Sequence, residues 1–299
     1  LTHGVICVKI LQFFENWDRV KEMKSKKEFM SLADLSGKTA IVTGGLGMLG
    51  SEFVKTLASY GAKVAIFDIK ETVPKDLKEM IDGGSTIKPV LVNIVDATSV
   101  KKGFEEIVAS FGIPTILVNN AGLDSHPSAP ANQNGPFEDY SEDVWDSVLD
   151  SHLKGAFLVS REFFKAYKKG KEKSGSIINL ASIYGLVSPD QSVYEYRRKN
   201  GENFFKPISY TVSKAGIVGL TKWLAEYGGP FGIRVNTLAP GGVFANQDKK
   251  FTKEYTRRTM LGKMADKADY NGAMIFLASG LSSYMTGATL VVDGGWTAR

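Results

Sequence analysis

The strongest constraint in this chain is a rhythm: from Lys38 onward, short apolar, β-rich runs alternate with helical patterns. The runs lie near Thr39–Thr43, Lys63–Phe67, Lys88–Val92, Thr115–Val118, Ser176–Leu180, Arg234–Leu238 and Thr289–Val292. Between them fall segments whose apolar residues recur at helical spacing, such as Leu49–Tyr60 and Val144–Lys168. A strand that is apolar throughout is buried on both faces, and parallel strands joined by helices achieve that burial. The expectation is an α/β fold, a single doubly wound parallel sheet with helices on both faces.

No linker, internal repeat or low-complexity stretch divides this pattern, so one domain is expected over residues 36–299. Residues 1–35 read as an N-terminal extension, with an apolar stretch Val5–Phe14 broken by Lys9 and a mixed-charge run Lys21–Glu28. A secretory signal places its basic residues before the apolar part, and here they follow it. Residues 1–29 therefore read either as an amphipathic helix or as sequence upstream of an alternative start at Met30.

Composition narrows the function classes. With 43% hydrophobic and 23% charged residues the chain matches an ordinary globular protein. Its mainly apolar runs reach only about ten residues, against the ~20 that span a bilayer, so no membrane partner is expected. One cysteine, Cys7, and three histidines leave no internal disulfide and no metal site, and they fit a cytoplasmic location. The net charge of +5 is interleaved along the chain, which argues against nucleic acid as a partner.

Directly after the first strand comes Thr43-Gly-Gly-Leu-Gly-Met-Leu-Gly50, which runs straight into a helical pattern. Glycines at Gly44, Gly47 and Gly50 permit a tight turn, a close backbone approach and close helix packing. The helix N-terminus offers free N–H groups to a pyrophosphate. Gly44, Gly47, Met48 and Leu49 are thus candidate cofactor contacts for a dinucleotide. Asp68, at the end of the second strand, can accept hydrogen bonds from adenosine ribose hydroxyls and would repel a 2′-phosphate. With no Arg or Lys in the glycine loop, NAD is favoured over NADP; Lys70 is the residue that opposes this choice. Asp68 also reads as a plain strand-end turn residue, compatible with either cofactor.

Further pieces follow in order: Leu35-Ser-Gly-Lys-Thr-Ala-Ile-Val-Thr-Gly-Gly45, Asn119-Asn-Ala-Gly122, Ser182 after Ile-Ile-Asn-Leu-Ala, Tyr210-Thr-Val-Ser-Lys214, Pro240-Gly241 and Val291-Val-Asp-Gly-Gly-Trp296. Over residues 36–299 the chain resembles the classical short-chain dehydrogenases/reductases. The resemblance implies cofactor contacts from Asn93, Ile94, Asn120, Ala121, Gly122, Tyr210, Lys214, Pro240, Gly241 and Val243. It also implies a homodimer or homotetramer.

The chemistry accounts for the residue types. Tyr210 and Lys214 are four apart and share a helix face, where an ammonium favours the phenolate. Such a phenol can exchange a proton with the reacting oxygen while hydride moves to or from the nicotinamide. Ser182, at a strand end, would hydrogen-bond the same oxygen. The resemblance gives Lys214 a second contact, to the nicotinamide ribose. Each residue also has an ordinary reading: Tyr210 as a half-buried aromatic, Ser182 as a cap, Lys214 as a surface lysine.

Three features depart from the family pattern. The glycine spacing is closer to that of the extended branch, with Met48 where glycine is usual. His152 stands where the family has the asparagine of its proton relay; it reads equally as a relay member and as a packed histidine beside Trp145, Val148, Leu149 and Ala156. Ser182 and Tyr210 are about twice the usual separation apart.

The resulting insert, 189–207, is expected to wall the substrate site, with Tyr194, Arg197 and Arg198 as substrate contacts alongside Ser182. A solvated surface loop is the alternative. The insert and Pro240-Gly-Gly-Val-Phe-Ala-Asn-Gln-Asp248 resemble the flagellin modification protein A-like subset, associated with surface-glycan sugars. The expected function is NAD-dependent interconversion of a secondary alcohol and a ketone on a small-molecule sugar or sugar-nucleotide. Alternatives are a gluconate or polyol dehydrogenase, a 3-oxoacyl-thioester reductase, or a non-catalytic dinucleotide-sensing protein.

Overall fold

The structure, a computed structural model, describes residues 30–123 and 131–299. The apolar and charged runs within 1–29 lie outside the described residues. Seven strands form one sheet: β1 Thr39–Thr43, β2 Lys63–Asp68, β3 Ile87–Leu91, β4 Ile116–Asn119, β5 Gly175–Leu180, β6 Ile233–Pro240 and β7 Thr289–Val292. Their order is β3-β2-β1-β4-β5-β6-β7, and every neighbouring pair is parallel. All seven expected strands are present, with ends shifted by at most two residues.

The principal helices are α1 Met48–Ser59, α2 Lys75–Asp82, α3 Ala97–Phe111, α4 Glu142–Leu149, α5 Gly155–Tyr167, α6 Ile208–Gly228, α7 Lys249–Thr256 and α8 Asn271–Ala278. Successive strand side chains point to opposite faces, and the core divides accordingly. Ala40, Val42, Val64 and Ile66 pack with Phe53 and Leu57 of α1 and Met274 of α8. Ile41, Ala65 and Phe67 pack on the other face with Phe104 of α3 and Val159 and Phe163 of α5. This two-sided burial is why the strands lack polar alternation.

The chain joins this core before the expected boundary at residue 36. Ala33 and Leu35 are buried, Leu35 N donates to Tyr60 O at 2.8 Å, and Gly280 N donates to Leu32 O at 2.9 Å. Among the described residues, no helix is long and apolar enough to cross a membrane, and no group of three or more His, Cys, Asp or Glu is placed to hold a metal.

Two features of the topology locate the site. Strand order reverses at β1, which lies between β2 and β4, so a crevice opens at their carboxyl ends. One face of that crevice is set by the expected helix 144–168, which is α4 and α5 joined through a π-helical turn, Asp150–Lys154. Such wide turns often mark functional positions, and this one carries His152.

Candidate active site

The glycine-rich segment leaves β1 and enters α1 in the manner a pyrophosphate cradle requires. Gly44 has φ of +62°, and a Cβ there would lie 2.8 Å from Ala121 Cα. A Cβ on Gly50 would lie 2.0 Å from Gly44 O. The N-cap of α1 is Gly47, which offers no side-chain oxygen to the first-turn N–H groups. Those donors and the positive end of the helix dipole face the crevice mouth, and Met48, despite its size, is half exposed there without blocking it.

Asn120 and Ala121, just past the end of β4, brace this loop. Asn120 Nδ2 donates to Thr43 O at 3.0 Å and Gly44 O at 3.1 Å, while the N–H groups of Asn120 and Ala121 both donate to Thr43 Oγ1 at 3.1 Å. Asp68 is buried at the end of β2. Its carboxylate accepts from Leu46 N and Lys70 N, each at 3.0 Å, which fixes it beside the loop. The hollow around it is lined by Leu46, Ile66, Asp68, Lys70, Glu71, Pro89, Val90 and Leu91, so two carboxylates oppose one ammonium there. Asn93 is exposed at the carboxyl end of β3, and Ile94 is buried against Gly155.

The residues expected to handle the proton converge on one crevice. Ser182 follows β5 and is buried; its Oγ accepts Tyr184 N–H at 3.2 Å, which leaves its own proton for another acceptor. Tyr210 lies in the first turn of α6, half-buried, and Lys214 lies one turn later, buried, with Nζ donating to Leu180 O at 3.0 Å. Lys214 Nζ is 5.7 Å from the Tyr210 ring centroid.

His152 is buried behind them, its ring 5.9 Å from that of Tyr210 in an edge arrangement. Its Nδ1 lies 2.6 Å from Ser213 Oγ, which donates to Tyr210 O at 2.9 Å. Burial first, then the ammonium groups of Lys214 and Lys206, holds the imidazole pKa well below its ordinary value, with the Leu123 backbone opposing. The ring is neutral. Gly122 is required beside it, because a Cβ there would lie 2.2 Å from His152 Nε2.

A cleft of about 310 Å³ brings together Met48, Leu49, Ser182, Tyr194, Tyr210, Pro240, Gly241 and Val243, all expected site residues. From the insert, Tyr194 and Lys206 line this cleft. Arg197 and Arg198, expected as substrate contacts, do not line it. The Arg197 guanidinium pairs with Glu202 and stacks 4.0 Å from the Phe204 ring centroid. Arg198 donates to Phe204 O at 2.9 Å and Gln191 O at 2.7 Å and pairs with Glu195 at 2.8 Å. Both side chains hold the insert to itself: carbonyls left over by a short, irregular segment need donors, and a guanidinium supplies several. Gln191 in turn clasps the Lys206 backbone, accepting from its N–H at 2.9 Å and donating to its carbonyl at 3.1 Å.

Sequence reasoning passed over Tyr184, Ser213 and the polar chain under the site. There Asn119 Nδ2 donates to Ser160 Oγ at 3.0 Å and Asn179 Oδ1 at 2.8 Å, and Asn179 Nδ2 donates to Thr221 Oγ1 at 2.9 Å. Polar residues inside otherwise apolar β4 and β5 are the signal that marks the chain. Ser213 had one too, since it lies three residues after Tyr210.

Comparison with known proteins agrees with this geometry. The family model described as "Enoyl-(Acyl carrier protein) reductase" matches residues 47–297. The 3-oxoacyl-[acyl-carrier-protein] reductase FabG of Chlamydia muridarum is 32% identical, over 87% of this chain and 98% of that protein. Among solved structures, a short chain dehydrogenase from Leptospira borgpetersenii with bound NAD+ is 34% identical, with TM-score 0.76 over 88% of this chain and 94% of the other. A gluconate 5-dehydrogenase from Burkholderia cenocepacia in complex with NADP and tartrate is 26% identical, with TM-score 0.77 over 90% and 98%. With the phosphate cradle and Ser182, Tyr210 and Lys214 gathered at one crevice, the chain belongs to the short-chain dehydrogenase/reductase family, oxidoreductases that act on alcohol and ketone groups with a nicotinamide dinucleotide.

Proposed function

We propose that this protein is an NAD-dependent oxidoreductase that interconverts a secondary alcohol and a ketone on a sugar-type substrate. The observation that carries the reading is the convergence of Ser182 and Tyr210 on one cleft that also holds the cofactor-side residues Met48, Pro240 and Gly241. Such a substrate carries several oxygens, and the cleft meets them with the phenols of Tyr184 and Tyr194 and the Lys206 ammonium. The gluconate 5-dehydrogenase bound to tartrate is a relative whose ligand, a polyhydroxy acid, has this chemistry. The resemblance to the surface-glycan subset points the same way.

The residues present fit a dinucleotide. Gly44 and Gly50 let the loop close tightly on itself, since a Cβ at either would strike Ala121 or Gly44 O, the N-terminus of α1 is uncapped by side chains, and the Asp68 carboxylate is held beside the loop by Leu46 N–H, free to accept from adenosine ribose hydroxyls. Asp68 and Glu71 favour a cofactor without a 2′-phosphate, which is the ground for choosing NAD. When bound, the cofactor supplies the hydride acceptor or donor.

The chain's own residues supply position and protons. Ser182 Oγ donates to the reacting oxygen while its lone pair holds Tyr184 N–H. Tyr210 Oη takes the alcohol proton in oxidation and returns it in reduction, a general acid and base aimed at the same oxygen. Lys214, anchored on Leu180 O, places positive charge beside the phenol and stabilises its deprotonated form. His152, neutral and tied through Ser213 to the Tyr210 carbonyl, holds this turn of α6 in register and completes the proton path behind Lys214.

The apolar side of the cleft, Phe251, Tyr255 and Met264, favours a second reading as a 3-oxoacyl-thioester reductase, in line with the FabG relative. Exposed Phe157, Trp223 and Tyr227 on α5 and α6 support assembly into a homodimer or homotetramer. The lone cysteine supports a reducing, cytoplasmic location. One assay tests the reading: NADH formation with a panel of polyols, aldonates, hydroxyacyl thioesters and nucleotide sugars. Turnover confined to thioesters would replace it with the second.

A further inference from the structure

Tyr184 occupies an unusual position beside the catalytic residues. It sits in a single 3-10 turn, Ile183–Gly185, whose first free N–H is the one Ser182 Oγ accepts. That turn lies flat on α6: a Cβ on Gly185 would fall 2.6 Å from the carbonyl carbon and oxygen of Lys214. Tyr184 is therefore fixed with respect to Ser182 by a hydrogen bond and with respect to Lys214 by backbone packing. Its ring is set edge-on to Trp296, at 6.2 Å between centroids, within a hydrophobic cluster that includes Val193, Tyr194 and Tyr255.

The hydroxyl of this ring has no evident structural use. Tyr184 is only 7% exposed, it lines the same cleft as Ser182, Tyr210 and Lys206, and its Oη has no hydrogen-bond partner among the described residues. Its neighbour Tyr255, in the same cluster and cleft, spends its Oη on Gly242 N–H. Phenylalanine would pack as well as Tyr184 and avoid burying an unpaired polar atom, which is destabilising. Burial also pushes the Tyr184 phenol far up, so it stays protonated and can donate as well as accept.

We propose that Tyr184 is a specificity-determining residue: its Oη hydrogen-bonds a second oxygen of the substrate, one that does not react, and so selects polyhydroxylated substrates over monofunctional alcohols. The inference rests on the proposed alcohol oxidation at Ser182 and Tyr210 and deepens it by naming what else the substrate must carry. A buried group built to pair with a substrate hydroxyl discriminates strongly against analogues that lack it, because the protein atom is then left unpaired. Tyr184 is the side chain in this cleft that meets that description.

The test is Tyr184→Phe, read in two ways. In the first, kcat/KM with NAD is measured for wild type and variant on gluconate, glucitol and galactonate, and on cyclohexanol, which has one oxygen only. The ratio of the best polyhydroxylated substrate to cyclohexanol is expected to fall about tenfold or more in the variant, the size of one lost hydrogen bond. An unchanged ratio overturns the role of Tyr184 while leaving the polyol reading in place. A wild type that turns over cyclohexanol and none of the three polyols overturns that reading and the inference with it. The second readout does not depend on turnover. Removing an unpaired buried hydroxyl should leave the Tm of the free enzyme equal or raise it, whereas a clear fall in Tm would show that the hydroxyl serves the fold and would overturn the inference.

Discussion

His152 Nδ1 and Ser213 Oγ lie 2.6 Å apart, and Ser213 passes the contact on to the backbone carbonyl of Tyr210. This joins the π-helical turn in the middle of the α4–α5 rod to the first turn of α6, the turn that carries Tyr210. A packed ring and a hydrogen-bonded ring are not alternatives at this site. The ring is buried against Gly122, and it is also hydrogen-bonded.

Replacement of His152 separates the two contributions. His152→Asn keeps a hydrogen-bonding side chain and should retain substantial turnover, while His152→Leu should keep the fold and lose rate, leaving Ser213 with an apolar neighbour. The pH dependence of stability gives an independent check. The folded pKa of His152 lies well below 6.5, so below the unfolded value the unfolded chain binds a proton that the folded chain refuses. This group costs nothing above that pH and destabilises progressively as pH falls. Between about pH 7 and pH 5 the Tm of wild type should therefore fall more steeply than that of His152→Asn. Parallel curves would contradict a buried neutral histidine.

Asp68 sets the cofactor expectation. Asp68→Ala removes the carboxylate proposed to meet the ribose, and kcat/KM with NADP should rise relative to NAD. The substitution also frees Leu46 N, so the KM for NAD should rise as the glycine loop loosens. Wild-type preference for NADP would sink the argument from like charge.

The doubly wound sheet was legible because its strands are buried on both faces and so read as apolar runs between helical patterns. Thr39–Thr43 and Thr289–Val292 end where the sequence indicates. The insert was legible only in part. Its cations were visible, but side-chain direction in a short irregular segment depends on which carbonyls go unpaired, and no periodicity reports that. Arg198 turned inward to Phe204 O and Gln191 O, whereas Lys206, four residues before Tyr210, reached the cleft. Tyr184 was hidden for a similar reason: its importance lies in a missing partner, which only the folded neighbourhood reveals.

Arg198 should accordingly behave as a staple of the insert. Arg198→Ala leaves two carbonyls without their donor and should lower stability by about 1–3 kcal/mol. Arg198→Lys should rescue little, because one ammonium cannot reproduce the fork that serves both carbonyls. Limited proteolysis should then cut within 189–207 faster than in wild type. A loop held elsewhere would leave both stability and cleavage unchanged.

The central claim is that Tyr210 moves the proton during redox exchange between the substrate and the nicotinamide cofactor. The most direct measurement is steady-state turnover of Tyr210→Phe, alongside titration of NADH binding to the same variant. The ring still packs when the hydroxyl is gone, so NADH binding should persist while kcat falls by at least the ~10² to 10⁴ expected for a lost general acid or base. Wild-type-like turnover in Tyr210→Phe, with the cofactor bound normally, would contradict the account.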